Sequence, residues 1–287
     1  MLPQTERYLD LGRQERNHWW RYLAGVAIIA AFWIGLGVLP YAWLAAVLEF
    51  GPLADYLAVN LTIVMMLTGL ALAMRVLHRR PLMSLVAPGN SIAWHRIFQG
   101  AALWALLAVI SVAVEHSLYP DRYQFTFNAG RFFVFAAVAL VLTPIQTTTE
   151  ELVFRGYIMQ GLATMVRAPL AVAIVSAAIF TVPHLMNPEM RYGGMLLAAS
   201  YFTIGLLLAV VTLRDGRLEL AIGVHAANNL TLVLVANYEG SVLATESVLT
   251  ARELDAAYAL VSLVIGAAVF YWWFFGRNRT VANATRG

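Results

Sequence analysis

Apolar runs of membrane-spanning length recur along the chain, separated by short polar breaks that hold most of the arginines. A transmembrane helix needs about 20 predominantly apolar residues, within a range of about 17–25. Segments 21–39, 56–78, 97–116, 131–162, 168–186, 193–213, 217–237 and 256–276 fit that pattern. They predict an all-α, polytopic transmembrane helical bundle of about eight spans. The stretch 41–54 is apolar but short and is expected at the membrane interface. No 20–50-residue repeat or low-complexity linker divides the sequence. Residues 1–287 are therefore expected to form a single integral membrane domain, with 1–18 and 278–287 as flexible cytoplasmic tails. The first run follows Arg7, Arg13, Arg16 and Arg21. It exceeds the roughly 7–15 apolar residues of a secretory leader and predicts a retained signal-anchor helix.

The arginines set the orientation. With both termini in the cytoplasm, only Arg122, Arg131, Arg191 and Arg252 of the 19 basic residues fall at outer ends. That asymmetry is the positive-inside bias. It requires the long segment 131–162 to cross once, since two crossings would carry Arg214, Arg217, Arg277 and Arg279 outside. Pro144 supplies a kink site within it. Trp19 and Trp20 at one end of the chain, and Tyr271, Trp272 and Trp273 at the other, fit an inner aromatic belt.

Composition narrows the chemistry. The chain is 61% hydrophobic and 12% charged, against about 25% charged in a soluble domain. Cysteine is absent, which excludes disulfides, thiolate catalysis and Cys-ligated metal. Every basic residue is arginine, which removes lysine Schiff bases and a Ser-Lys dyad. The net charge of +3 is small and its arginines sit at span ends, so it points to topology and not to nucleic acid. The lack of lysine suggests a GC-rich bacterial genome, and hence the bacterial inner membrane.

Three polar motifs interrupt the later spans: Glu150-Glu151-Leu-Val-Phe-Arg155, Phe180-Thr-Val-Pro-His184 and His225-Ala-Ala-Asn228-Asn229. Ionisable groups inside a membrane are costly and mark function by default. Counted from cytoplasmic ends near 162, 168 and 216, Glu150, His184 and His225 lie roughly 18, 24 and 14 Å deep, so one layer of the bilayer can hold all three. Glu151 and Arg155 have the i, i+4 spacing and order of a helical ion pair. Glu150 lies about 100° around the helix, without that partner, and suits a general base. Phe180 and His184 are also i, i+4, so the ring can restrict the imidazole. Pro183 removes a backbone donor beside His184. His225 and Asn229 share a face and form a donor pair suited to a developing oxyanion. Each motif has a plainer reading too: interfacial glutamates, an interfacial histidine, and interhelical polar contacts worth under about 2 kcal/mol each. Asn228 points elsewhere and reads as packing. Asn60, Gln99, Gln146 and Thr147 to Thr149 read as interhelical hydrogen-bonding groups. His18, His78 and His95 read as surface groups at the inner interface.

The ordered set Glu-Glu-x-x-x-Arg, Phe-x-x-x-His and His-x-x-x-Asn resembles the CPBP superfamily of intramembrane glutamic endopeptidases. That group includes type II CAAX prenyl endopeptidases and bacterial Abi-like and bacteriocin-immunity proteins. The resemblance covers roughly 130–237, the expected catalytic core. It implies that Glu150 and His184 activate water, that His225 and Asn229 form the oxyanion hole, and that Glu151, Arg155 and Phe180 support them. The substrate implied is a membrane-associated peptide or protein, with no cofactor and no metal.

Two other readings stay open. A zinc hydrolase would use Glu150, His184 and His225 as ligands, although no His-Glu-x-x-His helix is present. A non-catalytic transporter or bacteriocin-immunity protein would use the same residues for ions or binding. Oligomeric state is not legible.

Overall fold

The computed structural model describes residues 3–13, 17–47, 51–89 and 91–276. A short N-terminal helix, α1 (Pro3–Asp10), precedes the bundle. Six helices are long and apolar enough to cross a membrane: α2 (Trp19–Leu44), α3 (Pro52–His78), α4 (Trp94–Leu118), α5 (Ala129–Leu162), α7 (Gly194–Asp215) and α9 (Ala256–Gly276). Between them lie two shorter helices, α6 (Pro169–His184) and α8 (Glu219–Leu234). The protein is a polytopic helical bundle, a multi-pass integral membrane protein. All eight predicted spans correspond to helices, but α6 and α8 are 16 residues each, below the usual crossing length. At about 1.5 Å per residue they extend only about 24 Å. Both pack against α5 and α7; α6 keeps one apolar face exposed, with Leu170, Ile174 and Val182 on it, and turns Ser176, Phe180 and Thr181 inward.

Segment 131–162 is one helix, as the arginine asymmetry requires. Its N-cap is Asn128, whose side chain accepts the Arg131 amide. Leu152–Ile158, just past the paired glutamates, adopts wider i→i+5 turns. Gly216, at φ 69°, ends α7 in the left-handed conformation that glycine tolerates. In the stretch expected at the interface, residues 41–47 are helical, within Val38–Val47, and Pro52 opens α3.

Loop contacts divide the arginines into the two groups expected from the sequence. At one end Arg13, Arg21, Arg80 and Arg217 bond Ala163, Leu77, Gln160 and Glu219. Arg96 pairs with Asp215 there. At the other end Arg122 pairs with Asp255, and Arg131 with Glu246. A small sheet of order β1-β3-β2 caps this second end. In it β1 (Tyr123–Phe125) runs antiparallel and β2 (Ala236–Tyr238) parallel to β3 (Leu249–Ala251).

Two expectations need correction. Residues 3–13 are not a loose tail. The Tyr8 hydroxyl reaches the carbonyls of Leu85 and Arg155 at 2.7 and 3.1 Å, and Thr5 donates to Leu213 at 2.7 Å. Tyr8 and Leu9 join the main core, which explains the docking: this short helix carries apolar side chains that only the bundle end can cover. His78 is buried as well, between Asn17 at 2.6 Å and the Tyr157 hydroxyl at 2.8 Å. The 278–287 tail lies outside the described residues.

Candidate active site

The polar groups of α5 are sorted by which neighbours reach them. Glu151 and Arg155, both 0% exposed, form an ion pair of 2.8 Å. Arg155 Nη2 donates to the Gly205 carbonyl at 3.2 Å, and its guanidinium carbon stands 4.2 Å from the Phe180 ring centre. A buried guanidinium is tolerable only when charge, carbonyl and ring faces surround it.

Glu151 has a second partner that the helical spacing did not reveal. Its Oε1 accepts from His225 Nδ1 at 2.7 Å. The carboxylate paired with Arg155 accepts only, so the proton on His225 lies at Nδ1. Nε2 is then turned toward Glu150, 3.8 Å from its Oε2. Glu150 has no arginine partner among the described residues; Gln146 Nε2 donates to its Oε1 at 3.4 Å.

His184 ends α6, where Pro183 breaks the backbone ladder. Its Nδ1 donates to the Phe180 carbonyl at 2.8 Å. A carbonyl cannot donate, so in the neutral ring Nε2 carries the lone pair. Phe180 and Tyr201 flank the imidazole, with ring centres at 4.5 and 4.4 Å. Tyr201 in turn donates to Glu189 Oε1 at 2.5 Å.

Glu150, His184, His225 and Asn229 all line one cavity of about 260 Å³. Trp33 of α2 and Ile63 and Met66 of α3 supply apolar wall, and Val242 and Leu243 reach over from the loop after β2. The arrangement gathers a carboxylate, an imidazole lone pair and two further polar side chains about one space. Such a set can accept a proton from water and donate to a developing oxyanion. Among the described residues no group of three His, Asp or Glu is positioned to hold a metal ion.

Several lining residues were invisible to motif reading. Glu189, 2% exposed, is a second carboxylate in the cavity wall beside Glu150. It accepts from Tyr201, Asn187 and the Val242 amide. It lies in a single 3-10 turn, Pro188–Tyr192, too short to show any periodicity. Asn228 does not point away from the site; it lines the cavity and bonds Asn229.

A multi-pass helical membrane protein with a carboxylate–imidazole cluster buried between its helices is the class that fold and cavity define. Residues 129–231 match the family described as type II CAAX prenyl endopeptidase Rce1-like. The matched segment runs from the start of α5 into α8 and so contains all three motifs. The "Uncharacterized protein YyaK" of Bacillus subtilis (strain 168) is 33% identical over 192 residues, or 67% of this chain and 64% of that protein. The match thus spans less than two thirds of the relative's length. No solved structure matches the chain.

Proposed function

We propose that this protein is an intramembrane endopeptidase that hydrolyses a peptide bond of a membrane-associated protein or peptide, with residues 130–237 as its catalytic core. Glu150, assisted by His184 Nε2, takes a proton from water as the water oxygen adds to the scissile carbonyl carbon. His225 and Asn229 hold the oxyanion. When the C–N bond breaks, the proton passes from Glu150 to the leaving amine. Glu151 and Arg155 orient His225 and the helix, and Phe180 restrains His184. In a single multi-pass bilayer protein, and by the compositional argument a bacterial inner-membrane one, substrate enters from the lipid or its surface.

The observation that carries the reading is the separation of the two glutamates. Glu151 is committed to Arg155 and His225, whereas Glu150 is left facing the cavity. His225 Nδ1 already donates to Glu151, so Nε2 can donate to an oxyanion only as the imidazolium. Glu150, Glu151, Arg155 and that imidazolium sum to no net charge, as a low-dielectric site favours.

The test uses the full chain in lipid nanodiscs and quenched-fluorescence peptides with and without a farnesylated cysteine. Turnover by the wild type that disappears in Glu150→Gln supports the proposal, and cleavage by Glu150→Gln at the wild-type rate refutes it. Cellular function surviving alanine at Glu150, His184 and His225 together would instead mark a protein that acts by binding.

A further inference from the structure

Asn229 offers the cavity either an amide N–H or a carbonyl oxygen, depending on which way its carboxamide is turned, and only the N–H can hold an oxyanion. A chain of hydrogen bonds beginning on another helix decides between the two. Trp104 of α4 donates from Nε1 to Asn228 Oδ1 at 3.1 Å. Asn228 Nδ2 donates to Asn229 Oδ1 at 3.2 Å. The order cannot be reversed. An indole nitrogen is a donor only, so the Asn228 atom facing it is the oxygen. The Asn228 atom left for its neighbour is therefore the NH2, and the Asn229 atom receiving it must be the oxygen. Asn229 Nδ2 remains, with no hydrogen-bond partner among the described residues, on a side chain that lines the cavity.

We infer that Trp104 and Asn228 are positioning residues for the reaction: they lock the Asn229 carboxamide with its N–H toward the cavity. The inference rests on the oxyanion role proposed for Asn229 and adds what sets its direction. Trp104 is well placed for this task. It is buried, and its ring meets Phe270 edge-on at 5.9 Å, so the indole is held from the α9 side while its N–H faces α8. Neither residue touches the reacting atoms in this scheme. Their effect passes through Asn229 alone, which separates orientation from packing.

Trp104→Phe removes the donor while keeping an aromatic ring against Phe270, and Asn228→Leu removes the middle link at similar size. Both are measured in nanodiscs with the same farnesylated and unfarnesylated peptides, beside Asn229→Ala and the double variants Trp104→Phe/Asn229→Ala and Asn228→Leu/Asn229→Ala. Losing an oxyanion donor outright costs about 10²–10³ in kcat; losing only its orientation is expected to cost about 3–10-fold, with KM unchanged. In the Asn229→Ala background neither substitution should cost anything further. Equal losses in both backgrounds, or wild-type kcat in Trp104→Phe and Asn228→Leu while Asn229→Ala is impaired, overturns the relay and leaves the proposed function standing. Wild-type turnover by Asn229→Ala removes the oxyanion assignment and the relay with it. Thermal melting of each variant confirms that a loss of rate is not a loss of fold.

Discussion

Glu151 Oε1 receives hydrogen bonds from both Arg155, one turn along its own helix, and His225, 74 residues further along the chain. One oxygen thus joins the structural ion pair to the cavity-facing imidazole. The adjacent glutamates should respond differently to the same isosteric change. Glu151→Gln leaves Arg155 buried without its counter-charge, and breaking such a pair costs about 3–5 kcal/mol. It should lower the unfolding midpoint in detergent or bilayer and abolish turnover. Glu150→Gln should lose turnover with its melting temperature near that of the wild type. Equal stability for the two variants would contradict the division of roles.

Tyr201 should affect His184 in two separable ways. Tyr201→Phe keeps the ring beside the imidazole but leaves Glu189 without its 2.5 Å donor. A hydrogen bond to a charged group is worth about 1.5–3 kcal/mol. Tyr201→Ala also removes the ring. Turnover is expected to fall in the order wild type, Tyr201→Phe, Tyr201→Ala, as measured by peptide cleavage. Equal rates for the wild type and the alanine variant would show that the stacked ring does not hold His184.

Regularly spaced features were legible in the sequence, and features made by distant chain segments were not. Arginine asymmetry required one crossing for the paired-glutamate segment, and Ala129–Leu162 is one helix. The i, i+4 spacing gave the Glu151–Arg155 pair. Hydropathy located α6 and α8 but overstated their length, because apolar residues continue past the helix ends into the flanking turns. The bond from His225 to Glu151 joins two elements whose approach no spacing rule encodes. Trp104, Tyr201 and Glu189 are single residues in unrelated segments and carry no local signal. Asn228 was misread as packing because helical geometry places it about 100° from Asn229; adjacent carboxamides nonetheless reach each other at 3.2 Å. The N-terminal segment was misread because a short run bearing Arg7 and Glu6 looks solvated until the bundle end that receives Tyr8 is known.

At the opposite end, Asp255 caps α9 by accepting the Ala257 and Tyr258 amides, and Arg122 pairs with it at 2.6 Å. The Tyr258 amide and then Arg122 hold its carboxyl below the usual aspartate value. A depressed folded pKa means that this contribution is complete above the unfolded value of about 3.9 and is lost as pH falls through the folded value. Asp255→Ala should cost about 1 kcal/mol at neutral pH, typical of an N-cap. It should also flatten the part of the stability profile below about pH 4 that Asp255 contributes. The residue is partly exposed, so the ion pair adds little beyond the cap. Unfolding midpoints of wild type and variant from pH 3 to 7 would reveal both effects.

The approach of α4 to α8 depends on two glycines, and the relay from Trp104 to Asn229 depends on that approach. A Cβ on Gly223 would collide with the Ile97 carbonyl oxygen and lie 2.8 Å from the Ala101 nitrogen; one on Gly100 would lie 2.6 Å from the Leu220 carbonyl oxygen. These are backbone atoms, which cannot turn aside as a side-chain tip can. Close backbone contact through small residues is the usual way membrane helices gain packing energy in lipid. Gly223→Ala must therefore push the helices apart one turn before Asn228, and the 3.1 Å bond from Trp104 has little slack to absorb the shift. Gly35→Ala is the matched control, since nothing lies within 4 Å of its Cβ position. The expected outcome is a fall in stability of about 1–3 kcal/mol for Gly223→Ala, as for overpacked cores, together with slower turnover. Gly35→Ala should stay near wild type in both. If Gly223→Ala matches its control in melting temperature and kcat, the two helices do not need this contact to hold Trp104 against Asn228.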